Sequence, residues 1–252
     1  MVTRKIGQHK VRMYDAIDEL PIVRFQKLQK YVLIDAGVGS DIEAFDRHVE
    51  KMRRYMGQGK ADLAQQEMEN LRQCVFMIQT EASPKMLAFA VLVESIDGEK
   101  VTDLSDDGLR GVVRRLNGES YRAAVSGLEA VKKKIDAELT AYFPGIFEGS
   151  ETKEYYDLLR KRTVTMLEAL SRGEVAEVDD LTTAIICFSK PKNFAGASGE
   201  EIRLDKNFET ICLSLSEVLH INPKDCTVLE FYNAVDFLQE RSRKAEKGQK
   251  RP

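Results

Sequence analysis

The stretch Ser40-Asp-Ile-Glu-Ala-Phe-Asp-Arg-His-Val-Glu-Lys-Met-Arg-Arg-Tyr-Met56 carries the clearest helix signal in the chain. Ser40 and Glu43 match a capping box, in which each side chain can satisfy the other residue's free N–H. The apolar residues that follow recur three and four positions apart, which is the period of one helix face. They are Ile42, Phe45, Val49, Met52 and Met56. The spacing predicts an amphipathic helix that packs this stripe inward.

Further helices are predicted on both sides of this stretch. One begins near Pro21 and ends near Gly37, and another spans about residues 61–81. A very short loop joins the second helix, at 40–56, to the third helix, at 61–81, so we expect these two helices to form an antiparallel hairpin. The third helix is predicted to point five apolar side chains inward, namely Leu63, Met68, Leu71, Val75 and Ile78. The run 86–93 is apolar on every side, which predicts a buried element and favours a helix.

One short sheet is expected among these helices. Asp97-Gly98 is a strong signal for a two-residue turn between antiparallel strands. We therefore predict a mainly α protein, built of helical bundles or hairpins, with at most one small β-hairpin near residues 95–101. Glycine and proline are scarce, at 16 and 6 residues, which also favours helices.

The second half of the chain has the same character. Helices are predicted at about 120–143, 151–172 and 178–188, and a further helix is predicted to begin at Asp205. In the helix at 151–172, five apolar side chains are predicted to point inward, namely Tyr155, Leu158, Leu159, Met166 and Leu170. The last helix opens at a second capping box, Thr227-Val-Leu-Glu230. The stretch 145–150 predicts a boundary between an N-terminal domain at 1–146 and a C-terminal domain at 147–252.

Composition excludes several classes of protein. The four cysteines are Cys74, Cys187, Cys212 and Cys226, and their spacing matches no zinc motif. The first residues are polar and charged, so we expect no secretory signal and a location in the cytosol. The longest apolar run is far shorter than the ~20 residues that span a bilayer. The sequence thus predicts no membrane contact, no metal and no cofactor.

The search for catalytic residues finds no convergent set. The histidines are His9, His48 and His220, and none has a ligand partner at metal-binding spacing. His48 is interpreted as a solvated residue on the polar face of its helix. The acid pairs Asp106-Asp107 and Asp179-Asp180 fall in first helical turns, where negative charge is favoured. No catalytic residue is therefore predicted.

Candidate contacts with partners lie toward the end of the chain. Phe194 lies in a polar loop at 190–200, and Phe237 falls on the far side of the last helix from the core-facing arc that includes Tyr232. All three are predicted partner-binding residues, since aromatic side chains are enriched in interface cores. A basic tail predicts contact with nucleic acid or an acidic partner. Its residues are Arg241, Arg243, Lys244, Lys247, Lys250 and Arg251.

Two segments resemble proteins encoded among the structural and tail-assembly genes of tailed bacteriophages. The first is Ser95-Ile-Asp-Gly98 followed by Leu104-Ser-Asp-Asp-Gly-Leu109, and the second is Thr227-Val-Leu-Glu-Phe-Tyr-Asn-Ala234. The resemblance implies a non-enzymatic role, either as a tail-assembly chaperone or as a minor virion component in the host cytoplasm or the particle. Tail chaperones are often smaller and acidic throughout, and this chain departs from them in its length and its basic ends.

We therefore expect an assembly or virion structural protein that acts through helix-mediated contacts with other phage structural proteins or with itself. The alternative is a nucleic-acid-associated accessory protein that uses its basic termini, with affinity that falls steeply as salt rises. Sequence-specific binding is not expected, since no helix-turn-helix with a basic recognition helix is visible. An enzyme of an unrecognised helical class is a third possibility.

Overall fold

The computed structural model describes residues 1–79, 83–116, 118–147, 150–194, 198–220 and 222–249. The protein is mainly helical, as the sequence predicts, and carries one small antiparallel sheet. The strands are β1 (Val2–Ile6), β2 (His9–Met13), β3 (Val93–Ile96) and β4 (Glu99–Lys100). The helices of the first half are α1 (Ile22–Gly37), α2 (Ile42–Gly57), α3 (Ala61–Gln79), α4 (Pro84–Leu92), α5 (Asp106–Leu116), α6 (Glu119–Ser126) and α7 (Leu128–Tyr142). The remaining helices are α8 (Pro144–Phe147), α9 (Ser150–Ser171), α10 (Asp179–Ile186), α11 (Glu200–Leu219) and α12 (Val228–Gln249), with a 3₁₀ turn at Pro223–Asp225.

The sheet has the strand order β1-β2-β3-β4. Its second hairpin, formed by β3 and β4, confirms the strand prediction near residues 95–101. Asp97 and Gly98 have φ angles of 54° and 88°, as a two-residue turn of the mirror-image type requires.

The first hairpin, formed by β1 and β2, is not predicted by the sequence analysis. Its strands pair antiparallel from Val2 opposite Met13 to Ile6 opposite His9. The exposed positions are mostly basic, and only Ile6, Val11 and Met13 are buried. A half-buried edge hairpin of this kind has few apolar residues, so its alternating pattern resembles a basic tail.

The core lies where the sheet meets α1 and α4. As predicted, the apolar run of α4 is buried, from Leu87 to Leu92, and α1 contributes Ile22, Phe25 and Leu28. Arg24 of α1 is also buried, and its guanidinium donates hydrogen bonds to the carbonyl oxygens of residues 91, 93 and 101. These carbonyls lie at and beyond the end of α4, where helical partners run out. The buried cation thereby fixes the junction between helix and sheet, although burial lowers its pKa.

The C-terminal helices pack on the same core. Backbone hydrogen bonds join the α1 entry to the α12 entry: the N–H of Ile22 donates to Cys226, at 2.9 Å, and the N–H of Val228 donates to Leu20, at 2.9 Å. Phe231 is buried in the cluster that α1 and α4 form. The division of the chain at residues 146 and 147 stays a prediction, and residues on both sides of it contribute to this cluster.

Three details of the helices differ from the predictions. The helix predicted at 120–143 is divided at Gly127 into α6 and α7. Helix α11 begins at Glu200, and Asp205, the predicted cap, lies inside it and binds Lys30 at 3.1 Å. Leu170 of α9 is 73% exposed and Met166 is exposed as well, so the prediction that both point inward is wrong. One face of α9 packs against α10, and a wide arc of apolar side chains on the rest of this helix is exposed.

Candidate functional site

Helix α2 turns a different face inward from the one its apolar stripe predicts. Its buried residues are Ala44, His48 and Tyr55, whereas Ile42 and Met56 are 68% and 65% exposed. The helix is capped by Asp41, whose carboxylate accepts a hydrogen bond from the N–H of Ala44 at 2.8 Å. The prediction that the stripe points inward is wrong for Ile42, Val49 and Met56, whereas Phe45 packs partly buried against the core. Polar partners on α3 rotate the helix away from the predicted orientation.

A row of buried polar side chains lies between α2 and α3, formed by His48, Tyr55, Glu67 and Asn70, and we call it the polar row. His48 lies at its centre. Its side chain is 3% exposed, and that of its partner Glu67 on α3 is 1% exposed. The Nδ1 atom of His48 lies 2.8 Å from the Glu67 carboxyl oxygen Oε1, and Nε2 donates a hydrogen bond to the Val38 carbonyl at 2.7 Å. The interpretation of His48 as a solvated residue is wrong. One side chain joins α2, α3 and the end of α1.

The polar row continues along both helices. On α3 the residues facing inward are Ala64, Glu67, Asn70 and Cys74, in place of most of the predicted apolar stripe. The amide of Asn70 donates to the Lys192 carbonyl at 3.1 Å. Burial, together with the neighbouring Cys187 thiol, raises the pKa of Tyr55 to about 12. These contacts tie the hairpin to the segment that follows α10.

The row contains polar atoms that have no hydrogen-bond partner among the described residues. They are the Tyr55 hydroxyl, Glu67 Oε2 and Asn70 Oδ1. A buried histidine beside a carboxylate can act as an acid or a base only where a substrate reaches it. At 1–3% exposure, His48, Tyr55, Glu67 and Asn70 instead set the packing of the two helices. Across the described ranges, no three or more His, Cys, Asp or Glu side chains come together in a group that could hold a metal ion.

The acid pairs lie in first helical turns, as predicted. Asp106 accepts a hydrogen bond from the Tyr31 hydroxyl at 2.7 Å and lies 3.1 Å from the ammonium of Lys27. Burial opposes ionisation of Asp106, but these two partners outweigh it and lower the pKa of its carboxyl. Asp179 binds Arg54 of α2 at 2.7 Å. Both aspartates therefore join helices together.

Phe194 is buried, whereas the sequence predicts that it binds a partner from a polar loop. Its side chain is 8% exposed and packs over Gly37, where a Cβ atom would overlap the ring. The glycine at the end of α1 leaves the space that the ring occupies. Loop position and small neighbours gave no sign of this contact, because Gly37 is far away in sequence. Phe194 is thus part of the core of this chain.

Tyr232 and Phe237 have opposite environments on α12. The ring of Tyr232 packs among four aromatic rings, with centroid distances of 4.9 Å to Phe147, 5.4 Å to Phe231, 5.8 Å to Phe143 and 6.2 Å to Phe25. Burial raises the pKa of Tyr232 to about 12. Phe237 is 55% exposed, so it is the one of the three predicted aromatic contacts that another protein can reach.

An open groove runs between α11 and α12 on the side of α12 away from Phe237. We call it the C-terminal groove, and its apolar lining is formed by Ile211, Leu215, Val235 and Leu238. Arg243 lies at its end. Arg241 and Lys244 are exposed on the other side of α12, the side that carries Phe237. Of the other predicted tail residues, Lys247 belongs to α12 by its backbone, and Lys250 and Arg251 lie outside the described residues.

Comparison of the chain with protein-family models, with curated proteins and with solved structures finds no match. Among the described helices, none is both long enough and apolar enough to cross a membrane.

The buried pair gives a first prediction. His48→Leu and Glu67→Leu should each lower the free energy of unfolding by about 3–5 kcal/mol, because each leaves its partner buried and unpaired. The double variant should lose less than the sum of the two, since neither side chain is then left without its partner. Urea unfolding measures all three values. Glu217→Leu, at an exposed position of α11, is the control and should stay within about 0.5 kcal/mol of the parent. Additive losses would contradict the pairing.

The contact of Phe194 with Gly37 gives a second prediction. Gly37→Ala should destabilise the protein by about 1–3 kcal/mol, because the added methyl group overpacks the Phe194 ring. In a Phe194→Ala background the same change should stabilise it by up to about 1 kcal/mol, since alanine favours a helix over glycine. Thermal and urea unfolding of the four proteins would measure this reversal of sign. The same sign in both backgrounds would refute the contact.

Proposed function

We propose that this chain is a non-enzymatic assembly protein that binds other proteins through the exposed apolar faces of its C-terminal helices. The proposal is based on the positions of the large apolar side chains that remain exposed to solvent. Among the described residues, most of the exposed large apolar side chains lie after residue 150. They include Tyr156, Val164, Leu167 and Leu170 on α9, Ile211 and Leu213 on α11, and Phe237 on α12. Clustered exposed apolar residues are typical of interaction surfaces.

The side chains capable of chemistry support the same proposal. His48 and Glu67 are paired in the interior, and Asp106 and Asp179 bind side chains of other helices. Each of these groups has a structural partner that explains its position. The proposal that the chain is not an enzyme rests on these contacts.

We assign the C-terminal groove to an amphipathic helix of a partner protein. The groove lies between two helices, and a third helix can lay its apolar face into such a groove. Its apolar lining suits that face, and Arg243 at the end of the groove favours an acidic residue at one end of the bound helix. The occupant is therefore an amphipathic helix with an acidic end.

For the biological setting we propose the assembly or structure of a tailed bacteriophage. This part of the proposal rests on the sequence resemblance at Ser95–Gly98, Leu104–Leu109 and Thr227–Ala234. In that setting the chain holds an apolar segment of another structural protein until assembly proceeds. A helical segment of a virion protein with an acidic end is the partner that both lines of argument share.

The proposal is tested by partner capture with matched variants. The tagged chain is expressed together with its neighbouring genes, and co-purifying proteins are quantified by mass spectrometry. Ile211→Asp should reduce the captured partner by about tenfold or more, because it introduces an uncompensated charge into an apolar contact. Val175→Asp, at a 95% exposed position between α9 and α10, is the control and should retain the partner. A bound protein that all variants retain equally, or no enriched protein, would overturn the proposal.

The variant Phe237→Ala shows, in the same assay, whether Phe237 is a surface contact or a core residue. The side chain is 55% exposed, so its removal should leave the melting temperature nearly unchanged. It should weaken capture of the partner by less than Ile211→Asp does, because Phe237 lies on the outer side of α12 and not in the groove. Tyr232→Ala should lower the melting temperature strongly, since truncation of a packed aromatic residue costs about 3–5 kcal/mol. A large fall in melting temperature for Phe237→Ala would show that Phe237 belongs to the core.

A further inference from the structure

Helix α2 carries an apolar row that its own chain covers only in part. The row consists of Ile42, Phe45, Val49, Met52 and Met56, and we call it the α2 seam. Ile42, Val49 and Met56 are exposed, and Phe45 and Met52 are half-buried. The buried face of the helix lies about 100° away around its axis, at Ala44, His48 and Tyr55. Phe45 packs against the core at one edge of the seam, and Ile42, Val49 and Met56 are the seam residues that the core leaves exposed.

The spacing of the seam is that of a coiled coil. Its residues alternate steps of three and four over two heptads, so Ile42, Val49 and Met56 take one core position and Phe45 and Met52 take the other. Surface helices in a monomer have no need for a strict repeat of this kind, because their outer face is normally polar. A second helix that lies along α2 would fill the spaces between these side chains.

We propose that the α2 seam binds the α2 seam of a second copy of this chain, with the two helices antiparallel. In one register Val49 lies opposite Met52 of the second copy, and Phe45 lies opposite Met56. A twofold axis relates the two helices, so each of these contacts occurs twice. The proposal uses a face distant in sequence from the C-terminal groove and does not depend on the proposed function.

The charges beside the seam select this occupant and this register. Asp46 and Arg53 are both exposed, and they follow one edge of the seam at equivalent positions of successive heptads. In the antiparallel register given above, Asp46 lies beside Arg53 of the second copy. Opposite charges meet at both ends of the pair, whereas a parallel pair would place like charges at equivalent heights. In the single chain, Arg53 lies 3.0 Å from Glu50. In the dimer, Arg53 would exchange this exposed partner for Asp46 of the second copy.

The size of the surface sets the expected strength. A single pair of helices of 16 residues buries less than a standard interface of about 1,600 Å². We therefore expect a reversible dimer that dissociates on dilution within the micromolar range.

Sedimentation equilibrium of the purified full chain over a micromolar concentration series tests the proposal. The parent should shift with concentration from 28.5 kDa toward twice that mass. Val49→Asp should raise the dissociation constant by about tenfold or more, because it places a charge in the apolar contact on both sides of the axis. Leu167→Asp, an equally drastic change at an exposed apolar residue of α9, should leave the dimer intact. Circular dichroism confirms that each variant is folded.

A charge exchange tests the register. Asp46→Arg and Arg53→Asp should each weaken the dimer by about tenfold, since each puts like charges opposite one another. The double variant Asp46→Arg/Arg53→Asp should recover the parent dissociation constant. A parent that stays monomeric throughout the series would overturn the proposal. So would a dimer that Leu167→Asp breaks and Val49→Asp does not, or a double variant as weak as the single ones. Partner capture through the C-terminal groove is unaffected by any of these outcomes.

Discussion

The contact between His48 and Glu67 decides how the α2–α3 hairpin is oriented. Two buried polar side chains that face each other must stay together, because either one left alone in the interior has a large energetic cost. His48 also donates to the Val38 carbonyl, so the same residue fixes the hairpin to the end of α1. Once this row faces inward, Ile42, Val49 and Met56 of α2 are left exposed. The internal polar contact thereby determines the external apolar surface.

The sequence predicts the elements of this fold better than their orientation. Helical periods, the capping box at Thr227 and the Asp97-Gly98 turn are local signals, and the structure contains each of them. The inward face of α2 depends on Glu67, which lies on another helix, so no local period could reveal it. Phe194 is a similar case, because its pocket is made by a glycine on α1. The β1–β2 hairpin was missed since its exposed positions are mostly basic.

Two of the exposed apolar surfaces suit different partners. One lies on α2, where a coiled-coil repeat suits self-association of two chains. The other lies on α9, α11 and α12, where an open groove and a basic helix end suit a different protein. A dimer with two such grooves would hold two partner helices at once. An assembly protein with this arrangement gains avidity for a partner that presents repeated copies of its helix.

Histidine modification tests the orientation of the hairpin most directly, since the chain has only three histidines. Native protein is treated with diethyl pyrocarbonate, and the rate at each histidine is followed by peptide mass spectrometry. The account predicts that His220, which is exposed, reacts rapidly and that His48 reacts only after unfolding in urea. If His48 of the folded protein reacts as fast as His220, the polar row does not face inward and the account is contradicted.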